Sequence, residues 1–310
     1  GGRSTNSSTV VITEAVLDGE NALRYADSTS HAVGDFNGDG TDDMLIGYED
    51  LATGSDYVSD RVIGRAQVYG MTGGMSPDLL HTLYPSPRCH VSASDADDDH
   101  CEEEDGHGYD NSRFGSAVAA PDLDGDGVSD LVIGARTEGF CEPGRRSMRG
   151  YAYVYLSGSG DSEALMRADD ADLRIAGEDH EGGFGDNAAS VGDVDGDGLD
   201  DVVIAAQGWN GDGGLVEGRV YLFLGGETMD VAHAADADLI VEGAYAESAS
   251  GLGRTLQPLG DYDGDGTDDF GIMDYWAGDS GAMVLMTDVP SSLSGAALVF
   301  SDEPERLVSS

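Results

Sequence analysis

One acidic nine-residue pattern, with its aspartates at fixed positions, occurs four times in the chain. The copies occupy residues 35–43, 122–130, 193–201 and 261–269, and we call them loops 1 to 4, each with positions 1 to 9. Asp fills positions 1, 3, 5 and 9, except for Asn37 at position 3 of loop 1, and Gly fills positions 4 and 6. A single Asp-Gly-rich loop is usually a solvated turn, but four copies in one register indicate a common role.

Alternate oxygen-bearing side chains in a tight loop converge on one centre, and Ca²⁺ takes six to eight oxygen ligands of this kind. Glycine at position 6 permits the sharp turn that brings position 9 back, and the carbonyl of position 7 adds a ligand. All-oxygen ligands and adaptable geometry favour calcium over zinc or magnesium. We expect about four Ca²⁺ ions, one per loop. The predicted ligands are Asp35, Asn37, Asp39, Thr41 and Asp43; Asp122, Asp124, Asp126, Val128 and Asp130; Asp193, Asp195, Asp197, Leu199 and Asp201; and Asp261, Asp263, Asp265, Thr267 and Asp269.

The flanks of the loops predict strands. An EF-hand loop carries an acid at position 12, whereas an Ile of a short apolar run stands there in all four copies. A strand candidate also precedes each loop, so we predict a strand–loop–strand hairpin. Two further runs follow in each copy, which gives four strands per repeat and predicts an all-β β-propeller of four-stranded antiparallel blades. The second to fourth strands are expected at 44–46, 66–69 and 81–84; 131–133, 151–156 and 172–176; 202–204, 219–224 and 238–242; and 270–272, 282–286 and 297–300.

The sequence around loop 2 resembles a known family. Phe114-Gly115, then residues 121–130 and 131–135, are similar to the FG-GAP repeat of integrin α-subunit propellers and of many bacterial surface proteins. The third copy keeps Phe184-Gly185 and the fourth has Leu252-Gly253, whereas the first has no Phe-Gly pair. The resemblance spans about residues 26–300 and implies a propeller that works in adhesion outside the cell.

The repeats define a single domain over residues 1–310. Four blades either close on themselves, with a strand at residues 9–13 as a clasp, or belong to a larger array whose ends other chain covers. The repeats are expected at 26–84, 114–176, 184–242 and 252–300, with an insertion at 85–113.

The connections at the end of the blades opposite the loops are long and contain aromatic residues. Such residues suit contact with a protein or glycan ligand, or they fold down as plugs on their own blade. The candidate ligand face consists of Tyr48, Tyr57, Trp209, Tyr275 and Trp276.

The insertion contains Cys89 and Cys101, each next to a histidine. A disulfide between them is favoured over a transition-metal site, because the protein resembles extracellular ones. Cys141 is left over; it either bonds one of the pair or stays free.

Charge excludes one class of partner. The chain has 61 acidic residues against 15 basic ones, all arginine, and a formal net charge of −46. Nucleic-acid binders need cationic contacts to phosphate, so we expect no nucleic-acid partner. No apolar run is long enough to predict a membrane span. Residues 1–9 lack a leader pattern, so we expect a secreted chain from which a leader has been removed, or a segment excised from a longer chain. The acidity beyond the loops is suggestive of a salty habitat.

These observations predict an extracellular calcium-binding propeller that acts as an adhesion module for protein or glycan ligands. We find no catalytic motif and expect no enzyme activity. Two alternatives stay open. The chain is the propeller part of a secreted enzyme acting on polysaccharide or lipid, or it is a structural subunit of a surface layer or filament that meets neighbouring subunits.

Overall fold

The structure is a computed structural model in which most of the four repeats is described. Residues 9–13 and most of the insertion lie outside this part of the chain. Apart from two 3-10 turns, Ala168–Asp170 and Ala234–Asp236, the regular elements in the described residues are β-strands. The described residues are 29–49, 52–53, 61–62, 64–71, 77–85, 112–142, 145–147, 149–157, 165–178, 182–211, 217–226, 231–244, 251–274, 282–287, 289 and 296–301.

The strands form four successive antiparallel sheets, which we call blades 1 to 4. Blade 1 consists of β1 (Thr29–Gly34), β2 (Asp43–Tyr48), β5 (Arg65–Gly70) and β6 (Asp78–Tyr84), with a small hairpin of β3 (Ala52–Thr53) and β4 (Arg61–Val62) between its second and third strands. Blade 2 consists of β7 (Phe114–Ala119), β8 (Leu131–Ala135), β11 (Tyr151–Tyr155) and β13 (Leu173–Ala176), with a similar hairpin of β9 (Phe140–Glu142) and β10 (Arg145–Ser147).

Blade 3 consists of β14 (Asn187–Gly192), β15 (Asp201–Ala206), β16 (Arg219–Phe223) and β17 (Leu239–Ala244). Blade 4 has three strands in its sheet, namely β18 (Leu252–Gly260), β19 (Asp269–Asp274) and β20 (Ala282–Met286). The fold class predicted from the sequence, an all-β protein of antiparallel propeller blades, is confirmed.

The blades stack face to face, which explains why the second strands are continuous apolar runs. Successive side chains of a strand point to opposite faces. Leu131 and Ile133 therefore pack in one apolar cluster with blade 1, while Val132 packs in the next cluster with blade 3. Both faces of the inner blades are buried, so the usual alternation of apolar and polar residues is absent.

One prediction about the strands was wrong. Residues 297–300 were expected to be the fourth strand of blade 4, but β21 (Ala296–Ser301) pairs in parallel with β17 of blade 3. The same arrangement occurs earlier in the chain, where β12 (Leu165–Arg167) pairs in parallel with β6 of blade 1. The segment after a blade's third strand thus caps the outer edge of the preceding blade, whose unpaired backbone groups accept a further strand.

The array is open in the part of the chain that the structure describes. Blade 1 packs on blade 2, blade 2 on blade 3 and blade 3 on blade 4, while the sheets do not close into a ring there. Each acidic loop joins the first and second strands of its blade, so all four loops lie at the same end of the array. The long connections, including the two small hairpins, lie at the opposite end.

Candidate cation loops and the opposite end of the blades

Backbone hydrogen bonds hold the acidic side chains in place within each loop. In loop 3, Asp193 Oδ1 accepts N–H bonds from Gly196 at 2.7 Å and Asp197 at 3.0 Å, and Asp193 Oδ2 accepts one from Gly198 at 2.9 Å. The side chains at positions 3 and 5 each accept the N–H two residues later, as in the bond from Leu199 N–H to Asp197 Oδ1 at 2.9 Å. The bonds to positions 3 and 5 recur in loops 1, 2 and 4.

Three of the predicted ligands lie close together in each of loops 2 to 4. In three loops, one oxygen from each of three aspartates lies within 4.8 Å of the others. Oxygen ligands that local bonds already orient suit a hard divalent cation. Asn37 in loop 1 accepts the N–H of Asp39 at 2.9 Å, so its side chain is held as its counterparts are. The three groups are Asp122, Asp124 and Asp130; Asp193, Asp195 and Asp197; and Asp261, Asp263 and Asp265.

Glycine at position 6 has the conformation that the turn requires. The φ angles of Gly40, Gly127, Gly198 and Gly266 are 81°, 87°, 94° and 103°. Residues with a Cβ rarely adopt these values, so the sharp turn explains why glycine stands there.

The aspartate at position 9 is a structural clip as well as a candidate ligand. Asp201 is buried, and its two oxygens accept N–H bonds from Val194 of its own loop and Gly225 of the turn after the third strand, both at 2.8 Å. Asp130 makes the corresponding bonds in blade 2. Asp130 belongs to its carboxylate group, whereas Asp201 and Asp269 lie outside theirs. The sequence pattern predicted only the ligand role.

Burial raises the pKa of Asp130 and of Asp201 to about 7, although two backbone N–H bonds on each carboxylate oppose the shift. Without a cation, these carboxylates are therefore partly protonated at neutral pH. A cation bound beside them must compete with protons.

Neighbouring loops contact each other directly, a feature that the sequence did not predict. The position 8 N–H of one loop donates to the position 1 carbonyl of the preceding loop. For Asp200 this bond reaches Asp122 at 3.1 Å, and the Asp200 carboxylate accepts the Asp122 N–H in return, also at 3.1 Å. Asp268 and Asp193 form the same pair of bonds, and Ser129 donates to Asp35 at 2.8 Å. The residue types at positions 7 and 8 vary between loops, so the sequence pattern did not indicate that these positions contact the preceding loop.

At the opposite end, the Phe-Gly pairs join blades 2 and 3 to the blade that precedes each of them. Phe184 is buried against Tyr221 and Phe223. Gly185 has φ of 87°, and a Cβ added to it would lie 2.5 Å from the carbonyl oxygen of Tyr151. The backbone of blade 3 thus approaches the third strand of blade 2 too closely for any other residue.

Three arginine clusters lie near this end. The Arg219 guanidinium stacks 3.5 Å from the centre of the Trp209 ring and bonds Glu178 at 2.6 Å and Glu242 at 3.0 Å. Tyr221 donates to the same Glu178 oxygen at 2.9 Å. These bonds join blade 3 to the end of blade 2.

The other two clusters are built similarly. Arg174 stacks 3.8 Å from the centre of the Tyr151 ring, and Glu138 accepts its bond at 3.0 Å. Arg136 bonds Glu49 at 2.7 Å and Asp186 at 3.2 Å, which links three blades. Burial raises the pKa of Asp186 to about 6, and the Arg136 guanidinium opposes this shift. The residues that contact each arginine are distant from it in sequence, so no local pattern predicted these clusters.

The predicted aromatic ligand face is only partly described, and its two described members follow the second of the two interpretations, in which the rings fold down on their own blades. Trp209 is 5% exposed and Tyr48 is 2% exposed, so both are plugs on their own blades and do not form an exposed face. Stacking with Arg219 and Arg65 keeps them folded down. Tyr57, Tyr275, Trp276, Cys89 and Cys101 lie outside the described residues.

The chain is similar to known repeat proteins over part of its length. The FG-GAP repeat family model matches residues 114–155 and 185–223, which confirms the resemblance inferred from the sequence. Integrin alpha-4 of Xenopus laevis is 34% identical over 166 residues, covering 52% of this chain and 14% of that protein. Integrin alpha-PS2 of Drosophila melanogaster is 27% identical over 228 residues, covering 69% of this chain and 13% of that protein.

Among solved structures, rhamnogalacturonan lyase YesW superposes with a TM-score of 0.39 at 15% identity, covering 82% of this chain and 42% of that one. A structural similarity this low does not support assigning the activity of that protein to this chain. The described residues include no helix long and apolar enough to cross a bilayer.

Proposed function

We propose that this chain is an extracellular, calcium-stabilised propeller module that mediates adhesion by binding a protein or glycan and has no catalytic role. The observation that carries the proposal is the repetition of one prearranged oxygen cluster at the same end of successive blades. Similarity to integrin alpha chains supports an adhesive role and an extracellular location. In this proposal the ligand binds at the end of the blades opposite the acidic loops.

Calcium acts in this proposal by stabilising the hairpins rather than by chemistry. Loops 2 to 4 each hold three aspartate carboxylates close together, and their mutual repulsion falls when a divalent cation binds between them. Because position 7 and position 8 residues touch the preceding loop, a loop that an ion has ordered also supports its neighbour. Calcium then stabilises the whole line of loops.

The first experiment compares thermal unfolding in excess calcium and in chelator. A site that binds only the folded state adds about 2.7 kcal/mol at a ligand concentration of 100 times Kd, so chelation should lower the melting temperature strongly. Asp195→Asn should reduce the calcium-dependent gain. The matched control Asp236→Asn changes an exposed acid outside the loops and should leave that gain intact. An identical melting temperature with and without calcium would contradict the proposal.

Calcium affinity should also rise as pH increases through about 7. The carboxyl groups of Asp130 and Asp201 have raised pKa values, so protons compete with the ion below that pH. Without calcium the sign is opposite: the folded state binds more protons than the unfolded state between pH 4 and 7, so stability falls as pH rises there. Titrations at several pH values check both slopes.

The adhesive role needs a separate test. The calcium-loaded chain, immobilised, should retain a member of a glycan array or of a panel of extracellular proteins, and release it in chelator. Retention that is lost after substitutions in the opposite-end connections, with stability unchanged, supports the proposal. Turnover of a polysaccharide by the purified chain would instead favour the enzyme alternative.

A further inference from the structure

Successive blades contact each other in the same way at the end that carries the acidic loops. We call this contact the joint, and it has three parts. The position 8 N–H of the following loop bonds the position 1 carbonyl of the preceding loop. The position 7 side chain of the following loop covers the glycine at position 4 of the preceding one. The position 2 side chain of the preceding loop is buried beneath the following blade.

The second joint illustrates the fit. Leu123, at position 2 of loop 2, packs within the apolar cluster shared with blade 3. A Cβ built on Gly125 would lie 2.5 Å from Leu199 of loop 3. The same relations hold for Gly38 with Val128 and for Gly196 with Thr267, each at 3.3 Å. The joint therefore recurs three times along the chain.

Blade 4 presents the part of this joint that elsewhere receives the following loop, and no described residue docks on it. Tyr262, at position 2 of loop 4, is 67% exposed, whereas its three counterparts are buried. A Cβ built on Gly264 would meet no atom within 4 Å. Met283 and Leu285 on the same blade are 49% and 43% exposed. The position of Leu285 corresponds to Leu222 in blade 3, where blade 4 covers it.

Blade 1 presents the other part of the joint, the loop positions that in blades 2 to 4 contact the preceding loop. Thr41 and Asp42 occupy positions 7 and 8 of loop 1, and both are exposed. They are the same residue pair as Thr267 and Asp268, which dock on loop 3. Val33, on the face of blade 1 that looks away from blade 2, is 60% exposed.

The apolar contact available on blade 1 is confined to one end. Ile46 and Tyr69 share the face of Val33 but are already buried. A partner docked on blade 1 therefore contacts loop 1 and Val33 rather than the centre of the blade 1 sheet.

We propose that two copies of this chain associate head to tail, with blade 1 of one copy docked on blade 4 of the other. In that joint Asp42 bonds the backbone of Asp261, Thr41 covers Gly264, and Tyr262 packs against Val33. A contact between two different surfaces of the same chain either closes into a ring or extends as a filament. The inference depends on folded loops, and hence partly on the calcium proposal, but not on the adhesion ligand.

Charge sets the conditions for the joint. Each copy carries a formal charge of −46, so two copies repel at low salt. The Debye length shortens to about 3 Å at 1 M salt, which leaves short-range hydrogen bonds and apolar contacts in place. Association should therefore strengthen with salt, opposite to an interface held by ion pairs.

The test is sedimentation of the 310-residue chain in excess calcium at about 1 M NaCl. The average mass should rise above 32.1 kDa as concentration increases. Two double variants should each stay monomeric. The tail variant changes blade 4 by Tyr262→Asp and Leu285→Asp, and the head variant changes blade 1 by Asp42→Arg and Val33→Asp. Mixing the two variants should restore a two-chain species, because each keeps the half that the other lost. The control Leu79→Asp, at another exposed apolar residue, should associate as the unmodified chain does.

The mixing result separates this proposal from its rivals. A monomer at every concentration, or a mixture that stays monomeric, would overturn it, and would fit an end covered by further blades of a longer chain instead. Association that persists in both single variants would point to a different surface. Calcium titration of the same samples tells the two proposals apart: loops that bind calcium without association contradict only the head-to-tail joint.

Discussion

The two ends of each blade hold neighbouring blades together by different physics. At the loop end, the contacts are exposed acidic hairpins, with backbone bonds such as Asp268 N–H to Asp193 O at 2.8 Å. At the Phe-Gly end, the contacts are buried rings and close backbone approaches around Phe184 and Gly185. The loop end carries like charges that repel one another, whereas the Phe-Gly end is apolar or charge-paired.

If calcium binds the loops as proposed, this difference predicts which contacts it controls. Removal of calcium should loosen the loop end while the Phe-Gly end keeps the blades stacked. Substitutions at the Phe-Gly end should cost the same with and without calcium. Substitutions at the loop end should matter mainly when calcium is bound.

The largest expected effect is at the Phe-Gly end. Phe184→Ala removes a fully buried ring between blades 2 and 3 and should lower the free energy of unfolding by about 3–5 kcal/mol. Urea unfolding measures this loss, and the value should be similar in calcium and in chelator. Leu79→Ala, at an exposed apolar residue, is the matched control and should change stability by no more than about 0.5 kcal/mol. A loss confined to the calcium-bound protein would remove the proposed distinction between the ends.

A smaller loss is expected at an arginine cluster. Arg219→Gln leaves Glu178 and Glu242 without their shared cation and removes the stack on Trp209. The expected cost is about 1–3 kcal/mol, and it should be independent of calcium. Arg254→Gln, at an exposed arginine, serves as the comparison. Equal, negligible effects of both substitutions would mean that the cluster adds nothing to the Phe-Gly end.

The smallest effect tests the link between loops. Asp200→Ala removes the carboxylate that accepts the Asp122 N–H, and should cost about 0.5–1.5 kcal/mol in calcium. The affinity of loop 2 for calcium should fall with it, although Asp200 is not a predicted ligand. Asp42→Ala changes the same position in loop 1, which no described loop precedes, so dilute protein should tolerate it. If Asp42→Ala weakened calcium binding as much as Asp200→Ala does, the weaker binding would result from the lost negative charge and not from the lost bond between loops 2 and 3.

Local patterns predicted the loops and most strands because their causes are local. Glycine at position 6, oxygen-bearing side chains at alternate positions and a following apolar run all act within about a dozen residues. The third strand of blade 4, predicted at 282–286, has those bounds in the structure. The pairing of residues 296–301 with blade 3 was missed, because apolar character identifies a strand but not the edge that it joins.

Residues close together in the chain were sufficient to predict the blade type, the repeated acidic loops and the FG-GAP resemblance. Contacts between distant residues explain the burial of Trp209, the bond that holds Asp201 to a neighbouring turn, and the bonds between successive loops, and no local pattern predicted them. The tertiary structure also distinguished Tyr262 from its three buried counterparts. The physical reason is the same in each case: burial and bonding between blades depend on which surface lies opposite, and residues distant in sequence supply that surface.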